Sequence, residues 1–531
     1  MNKKLTSVLG VALVVGIVGL AATLRMYRLV DLPPGLHGDE AHAGIFAQEV
    51  LEKGWIGPYA SYALGGPAGL LYLMAPVVKL VGASALAVRL TTALAGTAAV
   101  LLMYLLARQM FGHRTGLIAA ALLAFSYWHI HFSRIAHPVV LLPLAEIAAL
   151  YFLFLGLRGG RWWGFPVGGV FLGLAAYTYH PFPLFVVAVA LVLGYVFLRE
   201  RRRWRYYLPP LGMFFGVSLL VALPFFQFVA EGGLPDRYRT TSILHDPQFQ
   251  QAQTVLDKAG VVARKAGRVG ASFWKGGNVD GVDGLGGRGL LDPVTGLLFV
   301  GGVALCLRRL KDERYLLLLL GAGLGLLGGI LSSDVEGQYR RIIVSLPFFV
   351  LAAAAFGDYA VQLGERLLPR SGRVVPSLLL VGGLAIVGYL NANYYFRVFA
   401  PSPSVRWIFA EDLVVASRYL KTLAPDTYVY FYSERWSWNY ETRRFLLPSM
   451  KGEDRSREFG KQAPEPDGER PVAFMLLPPY DTLLPQLEAR YPGGATMLGR
   501  NGNGEVAFQA YYLGPEVAKA DSSRGESAGS Q

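Results

Sequence analysis

Two adjacent carboxylates, Asp39 and Glu40, lie between His37 and His42 in the segment LHGDEAHAG, residues 36–44. A carboxylate can remove a proton from a hydroxyl group as a general base. The two histidines could line a pocket or, together with Asp39, bind a metal ion. Their spacing fits no strong metal motif, however. The segment therefore presents a candidate acid–base site in which a metal is doubtful.

The same residues have a second interpretation that involves no chemistry. Gly38 and Asp39 could form the N-cap of a helix from about residue 40 to residue 53 that ends at Gly54. A carboxylate can serve as a cap and as a base, so the two roles stay open at this point. A substitution that keeps capping but removes the base would separate them.

The composition places this segment in a membrane protein. The chain has 531 residues, of which 53% are hydrophobic and 16% charged, and its mean hydropathy is +0.38. These values are too apolar for a soluble chain of this length. The net charge of +13 comes from short basic clusters between apolar runs, which follows the positive-inside rule and does not indicate a nucleic-acid-binding face. The single cysteine, Cys306, carries no information about the compartment.

The basic clusters predict a polytopic α-helical fold of about eleven spans, with the N-terminus in the cytoplasm and the C-terminus outside the cell membrane. The first apolar run would look similar in a cleaved signal peptide. The apolar stretch at 69–82 is short, and we predict a re-entrant or interfacial helix there. The predicted spans are residues 5–24, 90–107, 115–128, 138–157, 162–179, 181–198, 206–229, 293–307, 315–331, 342–360 and 374–395.

This topology collects the polar residues in four exported regions. Arg340 and Arg341 would enter a span from the outside, against the positive-inside bias, and therefore need an anionic partner. That partner could be a lipid phosphate, or an ion pair with Asp334 or Glu336. The predicted exported regions are 25–88, 129–138, 230–292 and 332–341. The third region contains a possible surface helix at about 247–268 and then a glycine-rich run that could be a functional loop or a flexible linker.

Two further polar residues lie in or beside the predicted spans. Glu146 falls inside the fourth span, where a charge is costly and usually functional, although a hydrogen bond from its protonated form to a neighbouring helix would also explain it. His180 lies in the turn YTYHPFP at 177–183, which brings it to the exported surface. An aromatic turn at this position can mark the interfacial belt or a sugar-binding surface.

From about residue 396 the composition changes to that of a small soluble α/β domain, predicted to cover residues 396–518. It contains no recognisable catalytic motif. The tail from residue 519 is polar and predicted to be disordered. The predicted elements are helices near 410–423 and 482–490 and strands at 427–432, 472–477 and 505–513.

These features together resemble the GT-C glycosyltransferases. They are an exported loop opening with GDE after the first span, an exported FSR segment before the fourth span, a YRRIIVSLPFF entry to a late span and an exported C-terminal domain. The resemblance is to the type that includes dolichyl-phosphate-mannose protein mannosyltransferases and aminoarabinose transferases, and it covers roughly residues 1–395. It implies transfer of a sugar from a polyprenyl-phosphate donor to an acceptor on the exported face, and the acceptor could be protein, lipid or glycan.

The resemblance also assigns roles to residues. Asp39 would be the general base and Glu40 its neighbour in the motif, and one carboxylate can suffice because a glycosyl phosphate already has a good leaving group. Arg134 would hold the carrier phosphate, unless it is an ordinary interfacial arginine. Relatives often have an acidic residue shortly after this arginine, where this chain has His137, so a divalent metal is doubtful. The residues that we assign to donor or substrate binding are Arg134, His137, Arg340, Arg341, His42 and His180.

Two other classes of function stay open on the sequence. A transporter or flippase for lipid-linked sugars would distribute ionisable residues through the membrane, whereas this chain concentrates its polar residues in the predicted exported loops. A non-catalytic membrane scaffold would leave the GDE motif without chemical use.

Overall fold

The computed structural model describes residues 3–61, 65–200, 204–233, 240–276, 281–284, 288–333, 339–367, 374–458, 464 and 470–515. Most of these residues belong to a helical body, and a smaller α/β unit follows it. The tail that the sequence predicts to be disordered lies outside the described residues, as do Asp334 and Glu336.

The apolar runs of the body form helices, because a helix satisfies its own backbone hydrogen bonds in lipid. The helices in chain order are α1 (Lys3–Met26), α2 (Gly38–Lys53), α3 (Gly69–Val81), α4 (Ala85–Phe111), α5 (His113–Phe125), α6 (Tyr127–Arg134), α7 (Leu141–Leu157), α8 (Gly164–Leu174), α9 (Phe182–Arg199), α10 (Trp204–Ala230), α11 (Pro247–Gln251), α12 (Val255–Ser272), α13 (Pro293–Arg308), α14 (Glu313–Ile330), α15 (Leu346–Leu367) and α16 (Val374–Asn393). A π-helical turn, Tyr394–Phe399, continues α16. A two-residue ribbon, β1 (Tyr59–Ala60) and β2 (Gly66–Pro67), lies between α2 and α3.

In the described chain, eight helices are long and apolar enough to cross a membrane, and the bent pair α5–α6 adds a ninth if it forms one span. The eight are Val8–Met26, Ala85–Phe111, Pro138–Leu157, Phe182–Arg199, Arg205–Ala230, Glu313–Ile330, Ile343–Leu367 and Val374–Phe399. All eleven predicted spans coincide with helices, but three of them fall on the bent pair or on the shorter helices Gly164–Tyr177 and Pro293–Arg308. The protein is therefore a multi-pass membrane protein, and helix length supports eight of the eleven predicted spans.

The segment 129–138, predicted as an exported loop, is instead mostly helical and buried. Helix α6 turns by 57° from α5, and Ser126 between them caps α6 by accepting a hydrogen bond from the His129 amide at 3.4 Å. All eight residues of α6 are buried. Its polar side chains find partners inside the protein: the Ser133 hydroxyl donates to the His129 carbonyl at 2.6 Å. The segment is therefore a buried helix and not a loop, because groups inside the protein, and not water, engage its polar side chains. Its location on the exported side stays a prediction.

The predicted surface helix at 247–268 is two helices, α11 and α12. Thr254 begins α12 with a capping box in which it pairs reciprocally with Asp257. In the glycine-rich run that follows, the described residues 281–284 include the buried pair Val282 and Asp283. The Val282 carbonyl accepts a hydrogen bond from His131 Nε2 at 2.5 Å. At these four positions the run packs against the helical body.

The C-terminal α/β unit (residues 403–513) contains α17 (Pro403–Ile408), α18 (Glu411–Leu420), α19 (Glu441–Leu446) and α20 (Leu484–Arg490). Its strands are β3 (Tyr428–Tyr432), β4 (Lys451–Asp454), β5 (Val472–Leu476), β6 (Ala495–Arg500) and β7 (Val506–Leu513). They form one sheet in the order β4-β3-β5-β7-β6, in which β3 is parallel to β4 and β5, and β7 is antiparallel to β5 and β6.

The alternation of side chains along β3 gives this sheet two apolar faces. Val429 and Phe431 pack in the cluster that includes α18, whereas Tyr430 and Tyr432 pack on the opposite face beside α20. The strands and helices predicted from the sequence are present here, and β4, β6 and the short helices α17 and α19 are additional.

Candidate active site

The N-terminus of α2 carries the GDE motif, and the N-cap is His37 and not Asp39. The Asp39 amide donates to His37 Nδ1 at 3.1 Å, and Glu40 completes a capping box by accepting from the His37 amide at 3.1 Å. The helix ends at Gly54, as predicted, where φ is 75°. The backbone at the start of α2 is thus capped without the Asp39 carboxylate.

Glu40 is buried and paired with Arg89, a residue of α4. Its two carboxylate oxygens each lie 2.9 Å from a nitrogen of the Arg89 guanidinium, and one of them also accepts from the Ala136 amide at 2.9 Å. Burial by itself would raise the pKa of Glu40, but the charge of Arg89 and these hydrogen bonds lower it below the usual carboxyl value. Glu40 is therefore an ionised, fully engaged carboxylate.

Arg25, Arg89 and Arg134 are all fully buried, and each binds main-chain carbonyls. Arg89 donates to the carbonyls of Pro33 and Gly35 at 2.8 Å. Neither Arg25 nor Arg89 stands out as a site residue in the sequence. Their only sequence signal was a base beside an apolar run, which also describes an ordinary interfacial arginine.

Arg134, predicted to hold the carrier phosphate, lies in the same buried layer. Its guanidinium donates to the carbonyls of Leu24, Tyr27 and Leu32 at 2.7 to 2.9 Å. It also lies 5.0 Å from the ring centroid of Phe396. Both Nη atoms are thus engaged by main-chain carbonyls, and Arg134 joins the end of α1 and the following turn to α6.

Asp39 stands apart from this buried network. Its side chain is 37% exposed, and Oδ2 lies 3.8 Å from His37 Nδ1. The groups around it come from α2 and from the C-terminal α/β unit. Burial, with Glu441 and Asp39 nearby, raises the pKa of Tyr440 to about 12. Burial lowers the pKa of His42, against the opposing effects of Glu441 and Asp39, so His42 is neutral at pH 7.

The C-terminal α/β unit packs directly on α2 at this point. A Cβ at Gly38 would lie 2.6 Å from the Tyr440 hydroxyl, and one at Gly44 would lie 2.4 Å from the Phe445 ring. The Thr442 hydroxyl donates to the Leu36 carbonyl at 2.9 Å. Helix α19 therefore lies beside the GDE motif, and the unit contributes Tyr440, Glu441 and Arg444 to the surroundings of Asp39.

His180 and Arg341, both assigned from the sequence to donor or substrate binding, line one groove of about 290 Å³. Tyr179, Thr241 and Ser332 supply further polar lining, and leucines of α9 and α14 supply apolar lining. Arg341 donates to the Ser332 hydroxyl. We call this site the His180–Arg341 groove.

His137 links this groove to the GDE motif. It follows Ala136, whose amide is bound by Glu40, and its ring lies 5.9 Å from the ring of Tyr179, which lines the groove. Ala136, His137 and Tyr179 thus connect the Glu40 network to the groove that His180 and Arg341 line.

Arg340 has a different partner from its neighbour. Its Nε lies 3.2 Å from a carboxylate oxygen of Asp283 in the glycine-rich run, and the side chains are 11% and 1% exposed. The sequence offered an ion pair as one of two interpretations of Arg340, but it named acidic residues in the adjacent loop. The observed partner is distant in sequence and could not be found from local charge spacing.

Glu146 lies in the fourth predicted span, in α7, and is completely buried. Among the described residues, neither carboxylate oxygen has a hydrogen-bond partner. The described part of the chain likewise contains no group of three His, Cys, Asp or Glu residues that could hold a metal ion.

Residues 66–226 match the family model for dolichyl-phosphate-mannose-protein mannosyltransferases. None of the curated proteins matches the chain significantly. Among solved structures, ArnT from Cupriavidus metallidurans bound to undecaprenyl phosphate is 15% identical with a TM-score of 0.53, and the similarity covers 96% of this chain and 98% of that one. The oligosaccharyltransferase AglB from Archaeoglobus fulgidus, in complex with an inhibitory peptide and a dolichol-phosphate, is 13% identical with a TM-score of 0.52, covering 95% and 74%.

At these identities the structural similarity shows a common fold. Together with the family match over residues 66–226, it supports the resemblance seen in the sequence: the chain has the fold shared by these GT-C membrane glycosyltransferases.

Proposed function

We propose that the protein transfers a sugar from a polyprenyl-phosphate donor to an acceptor hydroxyl on the extracytoplasmic face, with Asp39 as the general base. The observation that carries the proposal is that the residues of the GDE motif have different partners and different exposure. His37 and Glu40 cap the helix and Glu40 is neutralised by Arg89, whereas the Asp39 carboxylate is partly exposed.

The chemistry needs one base near an acceptor and cationic or polar groups near the departing phosphate. The base takes the proton of the acceptor hydroxyl as its oxygen attacks the anomeric carbon, and the bond from that carbon to the phosphate oxygen breaks. The lipid phosphate leaves without further protonation because it is a good leaving group. A second catalytic carboxylate, as in glycosidases, is not required.

Glu40 is less suited to be the base than Asp39. Four N–H groups already point at its carboxylate, from Arg89, Ala136 and His37, and its lowered pKa makes it a weak proton acceptor. We assign Glu40, with Arg89, to positioning the start of α2. In the same way we assign Arg134 to holding the chain around Leu24 and Leu32, and not to the phosphate.

The His180–Arg341 groove is the proposed site of the donor phosphate. Its polar lining lies beside leucines of two long helices, which suits a ligand with a charged head and an apolar chain. A guanidinium binds phosphate through two oxygens. The ArnT and AglB structures named above contain undecaprenyl phosphate and dolichol-phosphate, which supports a donor of this class. We assign His42, one turn from Asp39, to the acceptor side.

The variant Asp39→Asn tests the base, because asparagine keeps the size and polarity of aspartate but cannot take a proton. Transfer from a panel of labelled undecaprenyl-phosphate sugars is measured in proteoliposomes. We expect transfer to fall by roughly 10²- to 10⁴-fold while donor binding is unchanged. Loss of a negative charge from the first turn of α2 should cost only about 0.3–1 kcal/mol of stability.

Asp31→Asn is the matched control, since Asp31 is exposed and lies eight residues before Asp39, beside Arg28. Its transfer rate should equal that of wild type. A folded Asp39→Asn protein with a rate within a few-fold of wild type would remove Asp39 as the base. Label that crosses the bilayer without being transferred would instead identify a flippase, and a protein that neither transfers nor moves label would fit the scaffold alternative.

A further inference from the structure

A second groove, of about 470 Å³, lies between α2 and the C-terminal α/β unit. Ile45 and Gln48 of α2 form one wall, and Arg444 of α19 and Lys451 of β4 lie on the other. We call it the Arg444–Lys451 groove. It is separate from the His180–Arg341 groove, with which it shares no lining residue.

The lining of this groove is strongly basic. Arg443, Arg444 and Lys451 contribute three positive charges, and none of the described lining residues is acidic. Arg443 is committed to structure: its guanidinium carbon lies 4.0 Å from the ring centroid of Trp438, and its Nε donates to the Trp438 carbonyl at 2.5 Å. Burial and the neighbouring Arg444 lower the pKa of Arg443 to about 10, so it is still charged at pH 7.

Arg444 and Lys451, in contrast, are exposed. Among the described residues, neither side chain has a hydrogen-bond or ion-pair partner. Two acidic residues adjacent to this region have other partners: Glu441 acts on His42 and Tyr440, and Glu453 binds Arg455 at 2.8 Å and hydrogen-bonds Tyr428. The groove therefore presents a net positive field that no carboxylate of the lining cancels.

The groove lies along the same helix as Asp39. Ile45 is six residues beyond Asp39, which is about 9 Å along the axis of α2. Arg444 connects the groove to the surroundings of Asp39. It lines the groove, and its charge lowers the pKa of His42, which is one turn from Asp39. A ligand in the groove would thus extend from the C-terminal α/β unit toward the carboxylate.

We propose that the Arg444–Lys451 groove binds the acceptor, and that the acceptor is a saccharide bearing a phosphate or carboxylate group. The cations would hold the anionic group, and Gln48, Asn439 and Tyr428 in the same lining offer amide and hydroxyl partners for sugar hydroxyls. The proposal rests on the proposed function, since it names the acceptor class of the Asp39 site.

The first experiment measures binding and needs no turnover. Full-length protein in nanodiscs is titrated with trehalose 6-phosphate, with the glucuronate-containing hyaluronan disaccharide and with neutral trehalose. We expect the two anionic probes to bind and trehalose to bind at least about tenfold more weakly, with an affinity for the anions that falls as salt is raised. Preference for one anionic probe identifies whether phosphate or carboxylate is recognised.

The second experiment compares Arg444→Gln, Lys451→Gln and the double variant with Arg490→Gln. Arg490 is also exposed but belongs to α20 on the opposite face of the sheet. Each single variant should weaken the anionic probes about three- to tenfold and the double variant more, because each removes one charge contact. In the transfer assay they should raise the acceptor KM, and leave the donor KM and kcat near wild type.

Equal binding of anionic and neutral probes, or double-variant affinities equal to those of Arg490→Gln, would overturn the acceptor assignment even if the wild type transfers sugar. Absence of transfer with intact anion binding would instead contradict the role of Asp39 and leave the groove as an anionic-saccharide site. The two failures are thus distinguishable.

Discussion

Glutamine in place of Glu40 should destabilise the protein severely although it preserves the shape of the side chain. Each carboxylate oxygen accepts two N–H groups: one from Arg89 Nε and the Ala136 amide, the other from Arg89 Nη2 and the His37 amide. In either orientation the glutamine NH₂ faces two donors, which leaves both without an acceptor. The Arg89 charge also loses its counter-charge in a site that is 0% exposed.

The magnitude follows from these losses. Two buried N–H donors without an acceptor should each cost about 1–3 kcal/mol of stability. Their sum agrees with the loss of about 3–5 kcal/mol that is typical when one partner of a buried ion pair is removed. The matched control is Glu49→Gln on the same helix. Glu49 pairs with Lys53 at 2.8 Å near the surface, and an exposed pair of this kind contributes little to stability.

Thermal unfolding in one detergent provides the assay, with Arg89→Met and the double variant completing a cycle. The double variant should lose less than the sum of the single variants, because it leaves no unpaired buried charge. The folded-state pKa of Glu40 is lowered, so its contribution is present above the unfolded-state pKa. It is lost as the pH falls through the folded value, and the gap between wild type and Glu40→Gln should narrow on acidification. Equal unfolding temperatures for Glu40→Gln and Glu49→Gln at pH 7 would refute this account.

Other predictions concern the remaining arginines and the contact between α2 and the C-terminal α/β unit. Arg341→Gln should raise the donor KM about tenfold or more without changing the unfolding temperature. Arg340→Met should lower the unfolding temperature, because the buried Asp283 carboxylate loses its partner. The reverse pattern would contradict the roles assigned to Arg340 and Arg341. Arg134→Gln should destabilise the protein, yet the folded fraction should keep its donor KM, and a selective rise in that KM would restore Arg134 as a phosphate ligand. Gly44→Ala should cost about 1–3 kcal/mol and increase proteolysis of the C-terminal unit, whereas Gly19→Ala, which meets no atom within 4 Å, should be silent in the same digestion.

The sequence predicts the helical body well, because apolar length and basic clusters report directly on the membrane. It predicts helix α2 and its end at Gly54 for the same kind of reason, since the signal is local. The role of Asp39 as cap was wrong in detail: His37 takes that place, and a histidine at an N-cap has no strong statistical signature.

The buried arginines show where local reasoning ends. Arg89 and Arg25 lie at the edges of apolar runs, as interfacial arginines do, and only the packing of α4 against α2 reveals that Arg89 neutralises Glu40. The partner of Arg340 lies 57 residues before it, in a glycine-rich run that has no strong structural signal. The helix α19 has only six residues, which is too short to be predicted from the sequence. The contribution of the C-terminal α/β unit to the site could therefore not be predicted either.

The absence of side chains at Gly38 and Gly44 has a consequence for protein engineering. Tyr440 and Phe445 fill the space that side chains at these positions would need, so α2 and α19 have matched surfaces. A chimaera that replaces the C-terminal α/β unit alone would set foreign side chains against these two glycines. Exchange of acceptor preference between relatives should therefore succeed only when the segment 36–48 and α19 are transplanted together as one unit.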